Sequence, residues 1–469
     1  MTLTAIATPE LHETLAGLVS GLDWDDLPEP ARAAAKDALV DFVGVAVAAS
    51  REEVARACLE AAGSPSSEGE CSVIGRPEKM AAPFAAMTNA TLGHAFDYDD
   101  VYLPGAAHYS TVAIPAAMAL AERAGADGKR FLAALVAGNE VGGRIALATR
   151  GEQGGIGIRL QGFFPTSGGG AVAGAAAASR ALGDGTGRTA HALGLGMNFA
   201  GGLASIGHGD NNSKCLLAGW AAQAGVQAAL FAHAGFTCQR EVMESRRGYF
   251  NALAAGKFRG EPLTRPAGSP WIVEELSYKR YPVEYVIHPL VELAIQAREA
   301  LGGRVAEIAG IEVSCYSGYA LFDPPSLKHA PPDGYAAVFS APYCIARALT
   351  RPESGHLTLS DFTDAYVCDA ATATLASRVR FVPDAAYDRD FPHRVGARLK
   401  AVAADGAVLF EDGVPHPYGT PERPMSREQL IEKFHHNCRA WPAARRASVL
   451  EMLYRTDEAP DAGWISALR

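Results

Sequence analysis

A chain of 469 residues is long enough for two or three domains and for a core that shelters an active site, which excludes a single small module. Forty-two Lys and Arg against 52 Asp and Glu give a net charge of -10, opposite in sign to what a phosphate backbone attracts, so no nucleic-acid partner is expected. With 20% charged and 48% apolar residues, the composition is that of a folded globular protein and not of a disordered one.

The first 20 residues have no basic segment followed by an apolar run and a cleavage site, so a cytoplasmic protein without a secretory signal is expected. From about Pro28 to Gly256 helical spacing dominates, with Pro30 in a first turn and Leu39, Phe42, Val43 and Val47 recurring at three- and four-residue intervals. Phe84 to Leu92 reads as an apolar helix. The most apolar stretches, Gly168 to Leu182 and Cys215 to Phe236, are interrupted by Arg180 and by Gln223, Gln227 and His233, and read as core helices, with no membrane partner expected. Short turns such as Gly125 to Gly128 and Gly183 to Gly187 predict antiparallel packing of the helices.

Gly260 to Pro270 carries three prolines and two glycines and reads as a boundary. Beyond it Ile311, Val313 and Cys315 alternate as in a half-buried strand. Val395, Ala397, Leu399 and Ala401 do the same, and Asp405-Gly406 offers a hairpin turn before Val408 and Phe410. Helix resumes at Ser426, which with Gln429 forms a capping box. The expected architecture is mainly α: a large all-helical domain over 1–267, a smaller α+β lid over 268–424, and a helical return over 425–469. The eight cysteines show neither a Cys-x-x-Cys pair nor zinc-ligand spacing, so buried free thiols are expected.

Four constellations carry chemistry. His94-Ala-Phe-Asp97-Tyr-Asp99-Asp100 with His108 concentrates three carboxylates and two imidazoles at a helix end, costly if buried and unpaired. Its spacing lacks the Gly and distal Glu of a calcium loop, and no metal is expected. Phe164-Pro-Thr166-Ser167 runs into three glycines; Thr166 or Ser167 can cap the following helix, whose free N–H groups suit an anion or serve only close packing. Lys214 is the one charge at the start of the next apolar helix, either facing an inward anion or snorkelling to water. Tyr278-Lys279-Arg280-Tyr281 and then His288 form a cationic, aromatic patch just past the boundary.

Taken in this order, HAFDYDD with His108, the Gly-Asn-Glu-Val run with Arg144, FPTSGGG, AHALGLGMNFAGG, SKCLLAGWAAQAG, YKRYP with His288 and the final PMSREQL helix resemble the MmgE/PrpD family, which contains dehydratases and decarboxylases. The resemblance implies a helical domain with an α+β lid, a cofactor-free site between them and a homodimer. By position it places the catalytic pattern on Asp97, His108, Lys214 and His288, with Lys279 and Arg280 nearby. His108 is then the leading base or acid with Asp97 orienting it, while Lys214 and His288 hold substrate carboxylates and donate protons. Arg280, Thr166 and Ser167 are further carboxylate contacts. Phe164 stands where the family usually has histidine, which removes an imidazole from the pocket. The implied activity is a lyase acting on a small di- or tricarboxylate. The alternatives are an isomerase or epimerase using the same residues, and a non-catalytic carboxylate-binding protein.

Overall fold

The computed structural model describes residues 11–62, 69–151, 156–205, 211–239, 241–268, 270–321, 329–351 and 355–469. Half of the segment read for a secretory signal, residues 1–10, and Ser269 of the proline-rich boundary lie outside the described residues.

The first half is a bundle of α1 (Leu11–Gly21), α2 (Glu29–Ala49), α3 (Glu53–Ala61), α4 (Ala82–His94), α5 (Ser110–Ala124), α6 (Gly128–Ala148), α7 (Pro165–Leu182), α8 (Thr186–Phe199) and α9 (Ser213–His233). Small side chains set how closely these helices approach. A Cβ on Gly225 of α9 would stand 2.6 Å from the Ala175 backbone nitrogen of α7, so only glycine lets the two backbones meet there. β1 (Cys71–Ser72) and β2 (Lys79–Met80) form a small antiparallel ribbon beside α4 and α5. α6 and α9 have the length and apolarity to cross a membrane; 94% of the α6 window and 61% of the α9 window is buried within the fold.

The second half is mixed. α10 (His288–Leu301) and α11 (Ala341–Thr350) pack together, and α10 also packs on a sheet of β3 (Gly310–Ser314), β4 (Val379–Phe381), β5 (Ala397–Val402) and β6 (Val408–Val414). Its order is β4-β3-β5-β6, with β3 and β4 parallel and the other pairs antiparallel. The alternation read in the sequence places Ile311, Val313, Leu399 and Ala401 on the buried face, and Gly406, at φ 86°, turns the expected hairpin. α12 (Arg427–Asn437), opened by the Ser426–Gln429 capping box, and α13 (Ala443–Tyr454) return to the first half. There Phe434, Val449 and Leu453 join the same hydrophobic core as Leu15 and Leu276.

A second core runs from Tyr281 to Val414. The chain therefore passes from one core to the other between Leu276 and Tyr281, on the stretch that holds Lys279 and Arg280. The proline-rich segment before it is anchored from below. Arg144, paired with Glu140 at 2.8 Å, donates to the carbonyls of Leu263, Arg265 and Pro266.

Three local expectations change. Phe164, not Thr166 or Ser167, occupies the N-cap of α7, because Pro165 takes the first helical position where its missing N–H costs nothing. Lys214 lies inside the first turn of α9. Six thiols are buried, but Cys238 is half-buried and Cys368 exposed, since both lie near loops.

Candidate active site

α4 is buried almost throughout and delivers His94 to the seam between the cores. The chain then turns sharply at Asp97, whose φ of 49° lies in the left-handed region that aspartate tolerates better than most residues. Val101 and Ser277 exchange both backbone hydrogen bonds at 2.9 Å, which ties this loop to the crossing between the cores. From below, the Lys433 ammonium of α12 donates to the Tyr98 carbonyl at 2.7 Å and pairs with buried Asp41 at 2.6 Å.

That stitching brings two cations onto one carboxylate oxygen. Lys214 Nζ stands 2.7 Å and Lys279 Nζ 2.9 Å from Asp97 Oδ1, and Lys279 also donates to the Asp97 carbonyl at 2.5 Å. Burial alone would raise the Asp97 pKa, but Lys214, Lys279 and His108 outweigh it and hold the carboxyl well below the usual range. Lys279 is wholly buried, and burial pulls its ammonium below the ordinary lysine value although Asp97 opposes the shift. Lys214 also faces the Phe339 ring at 5.0 Å.

His108 stands beside this group with Nε2 3.7 Å from Asp97 Oδ1, beyond hydrogen-bond length. Its other nitrogen, Nδ1, lies 2.7 Å from the Asp100 carbonyl and 3.2 Å from Asp99 Oδ2. A carbonyl can only accept, so Nδ1 carries the proton and Nε2 keeps its lone pair. Burial and the neighbouring His94 push the His108 pKa down to about 4 against the opposing pull of Asp99, so the ring is a neutral base at pH 7. The expected role of Asp97 is thereby corrected. Asp99 and the Asp100 carbonyl orient His108, whereas Asp97 gathers the lysines.

His94 completes the cluster, with Nδ1 2.9 Å from Asp99 Oδ1 and its ring edge-on to His108 at 4.6 Å. Thr166 acts on His108 through the backbone: its hydroxyl accepts the His108 N–H at 3.1 Å. Ser167 donates to the Gly201 carbonyl at 2.6 Å. Ligand-capable atoms of His94, Asp97, Asp99 and His108 lie within 4.8 Å of one another, the one grouping among the described residues that could hold a metal ion. A dication there would have to displace two ammonium groups from Asp97 and compete with the Nδ1 hydrogen bonds of both imidazoles.

A cavity of about 110 Å³ opens onto these groups, lined by Asp97, His108, Phe164, Lys214 and Lys279 from the expected set. Its size suits a metabolite of a few carbons, below the ~300 Å³ of sites for drug-sized ligands. Residues not anticipated also line it: Arg159 from the short helix Gly157–Leu160, and Glu284, Tyr285, Phe339 and Phe391 from the second half. Four expected residues are elsewhere. His288 is buried against the rings of Tyr281 and Tyr285, at 5.3 and 5.4 Å, and does not line the cavity. Burial and Lys279 hold its pKa well below the normal histidine value. Arg280 lines a separate cavity with Tyr98, His356 and His436, its guanidinium over the Tyr418 ring at 5.2 Å. Thr166 and Ser167 do not line the site either.

A pH dependence of stability follows. The unfolded chain binds the His108 proton near pH 6.5 and the folded chain only near 4. Between those values the unfolded state carries more protons, so stability is fully present above pH 6.5 and falls as the pH is lowered. The loss from this residue is on the order of 3 kcal/mol. Urea unfolding of wild type and His108→Gln at pH 4 to 7 is expected to show the slope reduced in the variant; equal slopes would contradict it.

Two cores, one helical and one α+β, bring a base and a lysine-flanked carboxylate together at their seam, an arrangement of an enzyme. Residues 13–261 match the MmgE/PrpD N-terminal domain and residues 281–456 the MmgE/PrpD C-terminal domain, and the chain belongs to the MmgE/PrpD family. It is similar to a cis-aconitate decarboxylase of Aspergillus terreus, 26% identical over 437 residues that cover 88% of this chain and 86% of the relative. It is likewise similar to the cis-aconitate decarboxylase of Homo sapiens, 27% identical over 440 residues covering 91% and 87%. A cis-aconitate decarboxylase-like protein of Aspergillus oryzae is 26% identical over 454 residues, 92% of each chain. The chain is an enzyme of the lyase type.

Proposed function

We propose that this chain is a cofactor-free lyase that dehydrates or decarboxylates a small carboxylate by moving a proton at the carbon beside it. The observation that carries the reading is the pair of ammonium groups on Asp97 next to the free Nε2 of a neutral His108. A substrate carboxylate binds against Lys214 and Lys279, whose charge also favours the enolate that forms. In elimination, His108 Nε2 takes the C–H proton, the electron pair enters the enolate, and its return expels hydroxide, which leaves as water with a proton from Lys214. In decarboxylation, the C–C bond breaks to release CO₂, the pair stays on carbon, and Lys214 protonates that carbon. The proton donor is Lys214, which lines the cavity, and not His288, which does not. Closure of the second half over the first, as a lid, excludes water during the reaction.

A second reading is epimerisation. Phe164 puts an apolar ring in the cavity wall and leaves His108 and Lys214 as two proton carriers lining one cavity. Proton NMR in D₂O with a panel of di- and tricarboxylic acids separates these reactions. Elimination gives olefinic signals, decarboxylation adds evolved CO₂, and epimerisation gives α-deuterium exchange with loss of optical rotation alone. No change with any acid, while binding persists, would overturn the proposal. Phe164→His is expected to shift preference among the acids more than stability, and an identical preference would refute that role for the ring.

The enzyme works as a cytoplasmic homodimer in this reading. Phe199, Leu203, Leu216, Trp220, Phe231 and Phe236 leave an apolar patch on and around α9, with Trp220 53% exposed. Clustered exposed apolar side chains of this kind are what a second copy of the chain would cover. Sedimentation is expected to give a dimer for wild type and a monomer for Trp220→Glu; a monomeric wild type would contradict it.

A further inference from the structure

Behind the base, one buried carboxylate serves two imidazoles. His94 Nδ1 stands 2.9 Å from Asp99 Oδ1 and 3.0 Å from Asp99 Oδ2, and His108 Nδ1 stands 3.2 Å from that same Oδ2. An ionised carboxylate only accepts, so both rings present an Nδ1–H, and the two donors compete for one oxygen. His94, Asp99 and His108 are all buried. His94 has no place in the cavity wall, and its Nε2 finds no hydrogen-bond partner among the described residues, so Asp99 is what fixes the ring. Proton transfer at His108 and Lys214 leaves this third titratable ring without a part.

We propose that His94 and Asp99 act behind His108 as one positioning unit: Asp99 fixes Nδ1 as the protonated nitrogen and meets the charge that the ring acquires, and His94, by holding the same carboxylate, limits how strongly it favours the charged ring. The inference rests on the preceding reading that His108 is the base. When Nε2 takes the C–H proton, the ring becomes an imidazolium whose Nδ1 is still protonated and lies 3.2 Å from an anion, and no proton passes to Asp99. An unshared carboxylate at that distance would favour the imidazolium in the resting enzyme as well, and a ring already protonated takes no further proton. The His94 N–H draws part of the Asp99 charge to itself and keeps the base free. The other groups around His108 are the Asp97 carboxylate with the Lys214 and Lys279 ammonium groups upon it, the Asp100 carbonyl and, on the cavity wall, Arg159 and Glu284. All of these are present whether or not residue 94 is histidine. His94 does not line the cavity, so it is a positioning residue and not a catalytic one.

The test is a ¹⁵N NMR titration of the His108 ring in the full-length protein from about pH 3.5 to 8, for wild type, His94→Leu, His94→Asn and Asp99→Asn, with circular dichroism to verify the fold at each pH. Leucine fills much of the space of the imidazole and offers no donor, whereas the asparagine amide can return an N–H to Asp99 at the place of Nδ1. The wild-type midpoint lies near 4. His94→Leu is expected to raise it by about one pH unit or more, because the Asp99 charge then bears on His108 alone. His94→Asn is expected to restore it to within about half a unit of wild type, and Asp99→Asn to move it below wild type. A folded His94→Leu with the wild-type midpoint overturns the proposal and leaves His108 standing as the base. A midpoint raised equally in His94→Leu and His94→Asn also overturns it, since the effect would then be one of packing. Should His94→Leu fail to fold, Asp99→Asn decides, and a midpoint that does not fall there overturns the proposal. A wild-type ring already charged at pH 6 overturns both the proposal and the reading of His108 as a neutral base.

Discussion

Where the reaction is elimination, His108→Gln lowers turnover by about 10²–10⁴-fold and leaves carboxylate binding within a few-fold, the expected result for a residue that moves a proton without holding the substrate. Glutamine keeps a donor for the Asp100 carbonyl but has no lone pair of imidazole basicity at the Nε2 position. The pH profile carries the sharper part. With the ring protonating near 4, kcat/KM of wild type is expected to rise through about pH 4 and stay level up to neutral pH, since the neutral form is the active one. The residual activity of His108→Gln is expected to lose that acid limb. Wild-type activity that falls as the pH rises from 5 to 7 would assign the ring the opposite role, a proton donor that must be charged.

The second large effect is on stability. Asp97 is the anion on which a wholly buried lysine rests, so Asp97→Asn leaves Lys279 neutral oxygens in place of that counter-charge and a repelling Lys214 beside it. Removing one partner of a buried pair costs about 3–5 kcal/mol, and denaturant unfolding of Asp97→Asn is expected to show a loss of that size. Asparagine is the informative substitution because it tolerates the left-handed backbone at this position better than alanine does. The double variant Asp97→Asn, Lys279→Met removes both charges and keeps the volume. It is expected to recover most of the loss while remaining inactive. A double variant as unstable as the single one would mean that the loop, and not the charge pair, had failed.

The fold was legible where spacing is strict. The alternation of Ile311 and Val313, and of Leu399 and Ala401, had to become a sheet with one buried face, and the run Ser426 to Gln429 had to open a helix. The site was legible in part. The family resemblance pointed to Asp97, His108, Lys214 and Lys279, and these four side chains line one cavity. Two misplacements have a common cause. Side chains of an extended stretch alternate in direction, so Lys279 and Arg280 cannot both face one cavity, and His288 follows a turn that leaves it against Tyr285 and off the cavity wall. The first of these could have been read from the sequence. Choosing between Asp97 and Asp99 as the partner of His108 could not, because it depends on the positive φ at Asp97. Arg159 had no signal, as its four-residue helix carries neither periodicity nor a motif.

The most direct test of the central claim, a neutral base held beside a lysine-paired carboxylate, is the ¹⁵N NMR spectrum of the His108 imidazole, assigned by its absence in His108→Gln. The expected spectrum between about pH 5 and 8 is that of the neutral ring protonated at Nδ1, with the Nε2 resonance moving when a dicarboxylate is added. An imidazolium at pH 6, or a proton on Nε2 with Nδ1 bare, would contradict the account.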